Sequence, residues 1–145
     1  MRLIARAMTA KRTARLTKAN YEALAELRHT LRGFLRFSEA AAKAAGVPPE
    51  QHQALLAIKG FPGRDIITIG ELAERLHVQH HSAVGLVDRL VRRQLVRRVR
   101  DGADRRRVHV ELTARGETLI GRLSAAHLDE LRQIGPLLRQ LLDTM

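Results

Sequence analysis

With 145 residues, 45% of them apolar, and no cysteine, the chain has enough length for one domain with its own core. The missing cysteine excludes disulfides, thiolate metal sites and thiol redox switches. A net charge of +11 makes polyanions the expected partners, nucleic acid before an anionic membrane surface.

Aromatic residues are only 3%, so the core must be built from Leu, Val, Ile and Ala, which suits helices. No apolar run approaches the roughly 20 residues of a membrane span. No signal-length apolar run follows the basic start either, so a cytoplasmic protein is expected, with no membrane partner. The charge is uneven. Residues 1–18 hold Arg2, Arg6, Lys11, Arg12, Arg15 and Lys18 with no acid, and residues 89–107 hold nine arginines against Asp101 and Asp104. From Glu111 onward five acids face four arginines. Localised charge points to a binding surface.

Residues 1–17 lack helical apolar spacing and read as a mobile basic arm. From about Lys18 to Ala45, Tyr21, Leu24, Leu31 and Leu35 recur at helical intervals, and Gly46 is placed to cap the helix. Pro48 and Pro49 then open a second helix whose apolar side is Leu55, Leu56 and Ile58. It ends before Gly60-Phe61-Pro62-Gly63. Ile66–Ile69 predicts a short strand. A third helix over about Gly70–Leu76 buries Leu72, Ala73 and Leu76. After a turn at His77-Val78, a fourth runs from about His80 to Arg93. Ala83, Leu86, Val87 and Leu90 form its inner stripe, and His80, Ser82, Asp88, Arg89, Arg92 and Arg93 its outer face.

Two valine-rich runs, Leu95–Arg100 and Arg106–Leu112, flank the turn Asp101-Gly102-Ala103-Asp104. In the second, Val108, Val110 and Leu112 alternate with His109 and Glu111, which predicts a half-buried strand and a β-hairpin with a charged tip. A long helix starts near Ala114. Pro136 ends or kinks it, because proline lacks the backbone donor and clashes with the preceding turn. A last helix then carries Leu137, Leu138, Leu141 and Leu142.

Strand, helix, turn, helix, hairpin from Ile67 to Leu112 is the order of a winged helix-turn-helix. The fold class is therefore mainly α with a small β-hairpin. In such a unit the third helix braces the fourth, the fourth presents polar side chains to base edges, and the wing brings arginines to phosphates or a narrow minor groove.

The segments ELAERLHV, LVDRLVRRQLVRR and DGADRRRVHVELTARG resemble the MarR (multiple antibiotic resistance regulator) family of bacterial transcription factors. That family's wing pattern maps onto Asp104, Arg106, Val110, Leu112, Thr113 and Gly116, and the resemblance spans about residues 18–143. It implies a homodimer. Helices in 18–46 and 114–145 would intertwine with a second copy and flank a DNA-binding unit over 47–113. The leucine content of these helices supports this independently. A dimer would present two recognition helices to an inverted-repeat operator in double-stranded DNA.

The resemblance also assigns roles. Asp104 would orient Arg106 into the minor groove. Arg105 and Arg107 would meet phosphates or pair with Asp88. His80, His81 and Ser82 would meet bases, and Arg89 and Arg92 phosphates. For Arg97, Arg98 and Arg100, a solvated face and DNA contact stand equal. The family places glycine where this chain has Gln94, a mismatch of order 1 kcal/mol if the turn needs positive φ. Gly85 stands mid-helix where a polar residue is usual. A repressor released by a small aromatic or anionic effector is implied, with Phe34, Phe37, His52 and Leu56 as effector candidates.

Rival readings are weaker. His77 and His81, with His80 adjacent, have the spacing of a shared metal site, but they straddle a turn and no cysteine or nearby carboxylate completes a set. A metal-responsive regulator is thus an alternative, and no metal or cofactor is expected. No nucleophile elbow, phosphate loop or paired carboxylates suggest an enzyme. His29, His52, His109 and His127 read as lone surface or core histidines. Few aromatics argue against RNA stacking platforms. Nonspecific, nucleoid-type DNA binding remains the other alternative.

Overall fold

The computed structural model describes residues 15–100 and 107–145. Asp104, Arg105, Arg106 and most of the predicted basic arm lie outside them. The elements in order are α1 (Lys18–Ala44), α2 (Pro49–Lys59), β1 (Ile66–Thr68), α3 (Ile69–Leu76), α4 (His80–Arg92), β2 (Val96–Arg100), β3 (Val108–Leu112) and α5 (Ala114–Thr144).

Local chemistry sets the helix starts. Thr17 caps α1 through a reciprocal pair with Asn20: the Asn20 amide donates to the Thr17 hydroxyl at 3.2 Å, and the Thr17 amide to the Asn20 side chain at 3.0 Å. Pro49 supplies a first-turn proline to α2. Thr68 and Glu71 repeat the reciprocal cap on α3. That holds the Glu71 carboxyl below its ordinary range, first through the Thr68 backbone bond and then through Arg64. Thr113 accepts from the Gly116 amide at 3.1 Å to open α5.

The helix ends share one device. Gly46, His77 and Gln94 have φ of 74°, 55° and 59°, the left-handed turn that closes α1, α3 and α4. In each, the following residue's amide reaches back five positions: Val47 to Ala42, Val78 to Ala73 and Leu95 to Leu90. Only the first uses glycine. The predicted mismatch at Gln94 is therefore present, and Gln94→Gly should raise stability by about 0.5–1 kcal/mol. Urea unfolding of the two proteins measures this, and an unchanged midpoint would show that Gln94 is not strained.

The sheet has three antiparallel strands in the order β1-β3-β2. Ile67 pairs with Val110 and Val96 with Leu112, and all four are buried. They join Leu55, Ile58, Leu72, Leu86, Val87, Leu90, Leu95 and Ile120 in one core. Each such side chain contributes about 1.5–3 kcal/mol by leaving water. Gly116 has a steric reason to be glycine: a Cβ there would lie 2.1 Å from the Leu95 carbonyl oxygen. The first turn of α5 packs that closely on the strand after α4.

Two expectations are corrected. Residues 114–144 form one 31-residue helix that continues through Pro136. The proline removes only its own bond to Arg132, whose carbonyl sits on an exposed turn, and continuing the helix carries Leu141 into a buried position. Leu56, read as part of the α2 core face, is 47% exposed, and Ala54 takes that place with Leu55 and Ile58.

Candidate nucleic-acid interface

The core stripe of α4 leaves its other face outward. His80, His81, Ser82, Arg89 and Arg92 are all exposed. The first turn of α4 carries no acid, and Gln79 gives it no side-chain cap. The positive end of the helix dipole and its free amides are thus left for an outside acceptor. Gly85 lies on this helix, and a Cβ there would meet only Arg89 Nη1 at an ordinary 3.6 Å.

Arg107 is exposed at the base of the wing. With His80, Thr68, Ile69, Gly70 and Val108 it lines a groove of about 350 Å³. The groove joins three parts far apart in sequence: the start of α3, the start of α4 and the returning wing strand. The flank of the wing is settled differently from its base. Arg97 donates from Nε to Glu111 at 2.7 Å, and Arg98 pairs with Asp88. Asp88 thus serves as a partner to β2, where the sequence had offered it to Arg105 or Arg107. Arg100 is exposed.

The MarR family model matches residues 45–107. That match covers under half of the chain, the part from the turn after α1 to the base of the wing. The HTH-type transcriptional regulator YsmB of Bacillus subtilis (strain 168), itself uncharacterized, is 35% identical over 68 residues, 47% of this chain and 47% of that protein. The match therefore spans about half the length of that relative. A MarR family protein from Bacillus stearothermophilus superposes with a TM-score of 0.73 at 24% identity, covering 83% of this chain and 82% of its own. AbsC, a MarR family transcriptional regulator from Streptomyces coelicolor, gives 0.66 at 21%, covering 83% and 81%. A MepR point mutant from S. aureus, bound to an oligodeoxyribonucleotide, gives 0.65 at 22%, covering 82% and 81%. These structural likenesses establish the fold.

Within the matched residues, Arg93 is not part of the outward face. It donates from Nη1 to Gln51 Oε1 at 3.0 Å and from Nη2 to the Gly46 carbonyl at 2.7 Å. It thereby ties the end of α4 to α2 and to the turn after α1. Gln51 is buried, so Arg93→Ala would leave its oxygen without that donor. The expected loss is about 1.5–3 kcal/mol of unfolding free energy in urea, and a loss below 0.5 kcal/mol would refute the tie.

Three of the four effector candidates gather around His127, which the sequence reads as a lone surface or core histidine. The His127 ring on α5 meets Phe34 at 5.8 Å and Phe37 at 5.4 Å, both edge-on, and His52 at 4.8 Å. His127 Nδ1 lies 2.6 Å from the Leu123 carbonyl, which can only accept, so Nδ1 carries the proton. Nε2 lies 2.8 Å from the Ser38 hydroxyl. His52 is buried, and its Nε2 meets no partner among the described residues. Burial, and secondly the nearby His127, push its pKa down. Leu56, one turn beyond His52, is exposed. Nothing local in the sequence marks His127, because its partners lie on α1 and α2.

His77, His80 and His81 are exposed around the α3–α4 turn. Among the described residues, no group of three or more His, Asp or Glu side chains is placed to hold a metal ion. A further unforeseen contact is Phe61, which lies under the Arg64 guanidinium at 4.5 Å and the Arg75 guanidinium at 5.0 Å.

Proposed function

We propose that the chain is a DNA-binding transcription regulator, acting in the cytoplasm as a homodimeric repressor on an inverted-repeat operator. The observation that carries this reading is α4: an exposed face with an acid-free first turn and no side-chain cap at its N-terminus, set beside a wing base bearing Arg107. His80, His81 and Ser82 read bases. Arg89, Arg92, Arg105 and Arg107 neutralise phosphates, and Asp104 orients Arg106 into the minor groove. The oligonucleotide bound to the MepR mutant supports the reading by likeness of fold. A small aromatic or anionic effector, received near Phe34, Phe37, His52 and Leu56, would release the repressor. The family and fold are those of regulators rather than enzymes.

Fluorescence anisotropy on an inverted-repeat fragment from beside the gene, and on random DNA, tests the specific reading. Specific binding should exceed random binding by about 10³-fold or more and fall steeply with salt. A ratio near one at physiological salt leaves nucleoid-type binding instead. Arg106→Ala should weaken operator binding by about 1–3 kcal/mol. Unchanged affinity would remove the wing from the groove.

A further inference from the structure

Two adjoining grooves lie where α1 ends and α5 begins. One, of about 390 Å³, has Arg93, Arg115 and Arg122 around Leu95, Leu119 and Thr118. The other, of about 310 Å³, shares Leu119 and Arg122 and runs on between Ala41 and Ala44 of α1 and Leu123 and Ala126 of α5. The first is lined by three guanidiniums and no carboxylate. The second is lined by small and apolar side chains. Together they fall within the size of small-molecule sites, roughly 300–1,000 Å³.

The basic end is partly built in advance. Arg93 is held by its bonds to Gln51 and Gly46, which use two of its five donors. Arg115, Thr118 and Arg122 recur at three and four residues, so they share one face of α5. Glu117, the acid in that first turn, is engaged elsewhere, with Lys59 at 3.1 Å. A nucleic-acid backbone would use the arginines but leave the alanine-lined trough unfilled. A second copy of the chain suits a different surface. At about 100° per residue, Leu24, Leu31 and Leu35 point roughly a third of a turn away from Ala41 and Ala44 on α1.

We propose that this groove binds an amphipathic organic anion, its carboxylate or phosphate head among Arg93, Arg115 and Arg122 and its apolar tail along Ala41, Ala44, Leu123 and Ala126. The site shares no residue with the Phe34, Phe37, His52 and Leu56 set and does not depend on what α4 binds. Arg93 and Leu95 flank Gln94, the joint between α4 and the wing, so an occupant braces that joint.

Titration calorimetry on the full chain tests this with four probes. Octanoate and octyl phosphate carry head and tail, octyl glucoside carries the tail on a neutral head, and inorganic phosphate is a head alone. Octanoate or octyl phosphate should bind once per chain, at least about tenfold tighter than the other two. Arg115→Ala combined with Arg122→Ala should weaken that binding about tenfold or more, while Arg139→Ala, further along α5, should not. Both variants change exposed residues, and their thermal melts confirm folding. Equal binding of octyl glucoside, equal binding of inorganic phosphate, or an unchanged affinity in the double variant each overturns the proposal. So does a failure of octanoate and octyl phosphate to bind together with dissociation of the protein by Ala44→Glu, which would assign the groove to the contact between copies. Binding of the four probes is measured without DNA, so this reading and the DNA reading fail separately.

Discussion

Leu31→Arg combined with Leu35→Arg is expected to leave the chain folded but monomeric, and to weaken binding to an inverted repeat by about a hundredfold or more. Along α1, Tyr21, Leu24, Leu31 and Leu35 are 57%, 44%, 44% and 58% exposed. Leu128, Leu131 and Leu142 of α5 are exposed as well. A single chain has no use for so long an apolar stripe. Each leucine buried against a second copy would contribute about 1.5–3 kcal/mol. In an isologous contact every substitution acts twice, so two arginines per chain bring four charges into one apolar contact. Because both leucines are exposed in the single chain, the substitutions should change its own stability by no more than about 0.5 kcal/mol. The DNA effect follows from valency. One chain reaches one half-site, and the second half-site no longer benefits from being tethered to the first. Sedimentation analysis gives the mass, and anisotropy gives the affinity. An unchanged dimer mass would place the contact elsewhere, and a monomer with undiminished affinity would mean that one half-site suffices.

The winged helix was legible because its signals are local. Alternation of Val108, Val110 and Leu112 marks β3, and all of β3 pairs as that pattern requires. The stripe Ala83, Leu86, Val87 and Leu90 marks α4, and all four are buried. The glycine expected at position 94 pointed to a left-handed turn, and Gln94 occupies one. The misreadings arose where tertiary contacts outweigh a local rule. Pro136 reads as an end or kink with a separate last helix after it, yet residues 114–144 form one helix that buries Leu141. Arg93 reads as one more outward cation on a basic helix, yet it bonds to Gln51, 42 residues away. Asp88 could have served any of several arginines, and only the register of β2 selects Arg98. The His52–His127 stack joins residues 75 positions apart, with no pattern in either neighbourhood to announce it.

That stack leads to the second large effect: the protein should lose stability as pH falls below about 6.5, and His52→Leu should remove much of the loss. His52 is 3% exposed, its Nε2 has no partner among the described residues, and its neighbour across 4.8 Å is another imidazole. Its pKa is lowered from the ordinary 6.5, first by burial and then by the charge of His127. Of the titratable groups on the helices around it, His127 of α5 is the one that acts on its charge. α1 brings Phe34, Phe37 and Ser38 to the His127 ring, and α4 brings Arg93, whose guanidinium is taken up by Gln51. No carboxylate is among the groups that shift it, so a proton on His52 has nothing to offset it. The sign follows. The folded state keeps His52 neutral, whereas the unfolded chain takes up the proton near pH 6.5, so acid favours unfolding between that pH and the lower folded value. The slope from this one group is at most about 1.4 kcal/mol per pH unit. Urea unfolding at pH 7.5, 6.5 and 5.5 for both proteins measures the difference, which cancels contributions from the other histidines. Parallel pH profiles would mean that His52 binds its proton equally well folded and unfolded. A shallower profile in His52→Leu would place the acid sensitivity at the junction of α1, α2 and α5, where the terminal helices meet the winged helix.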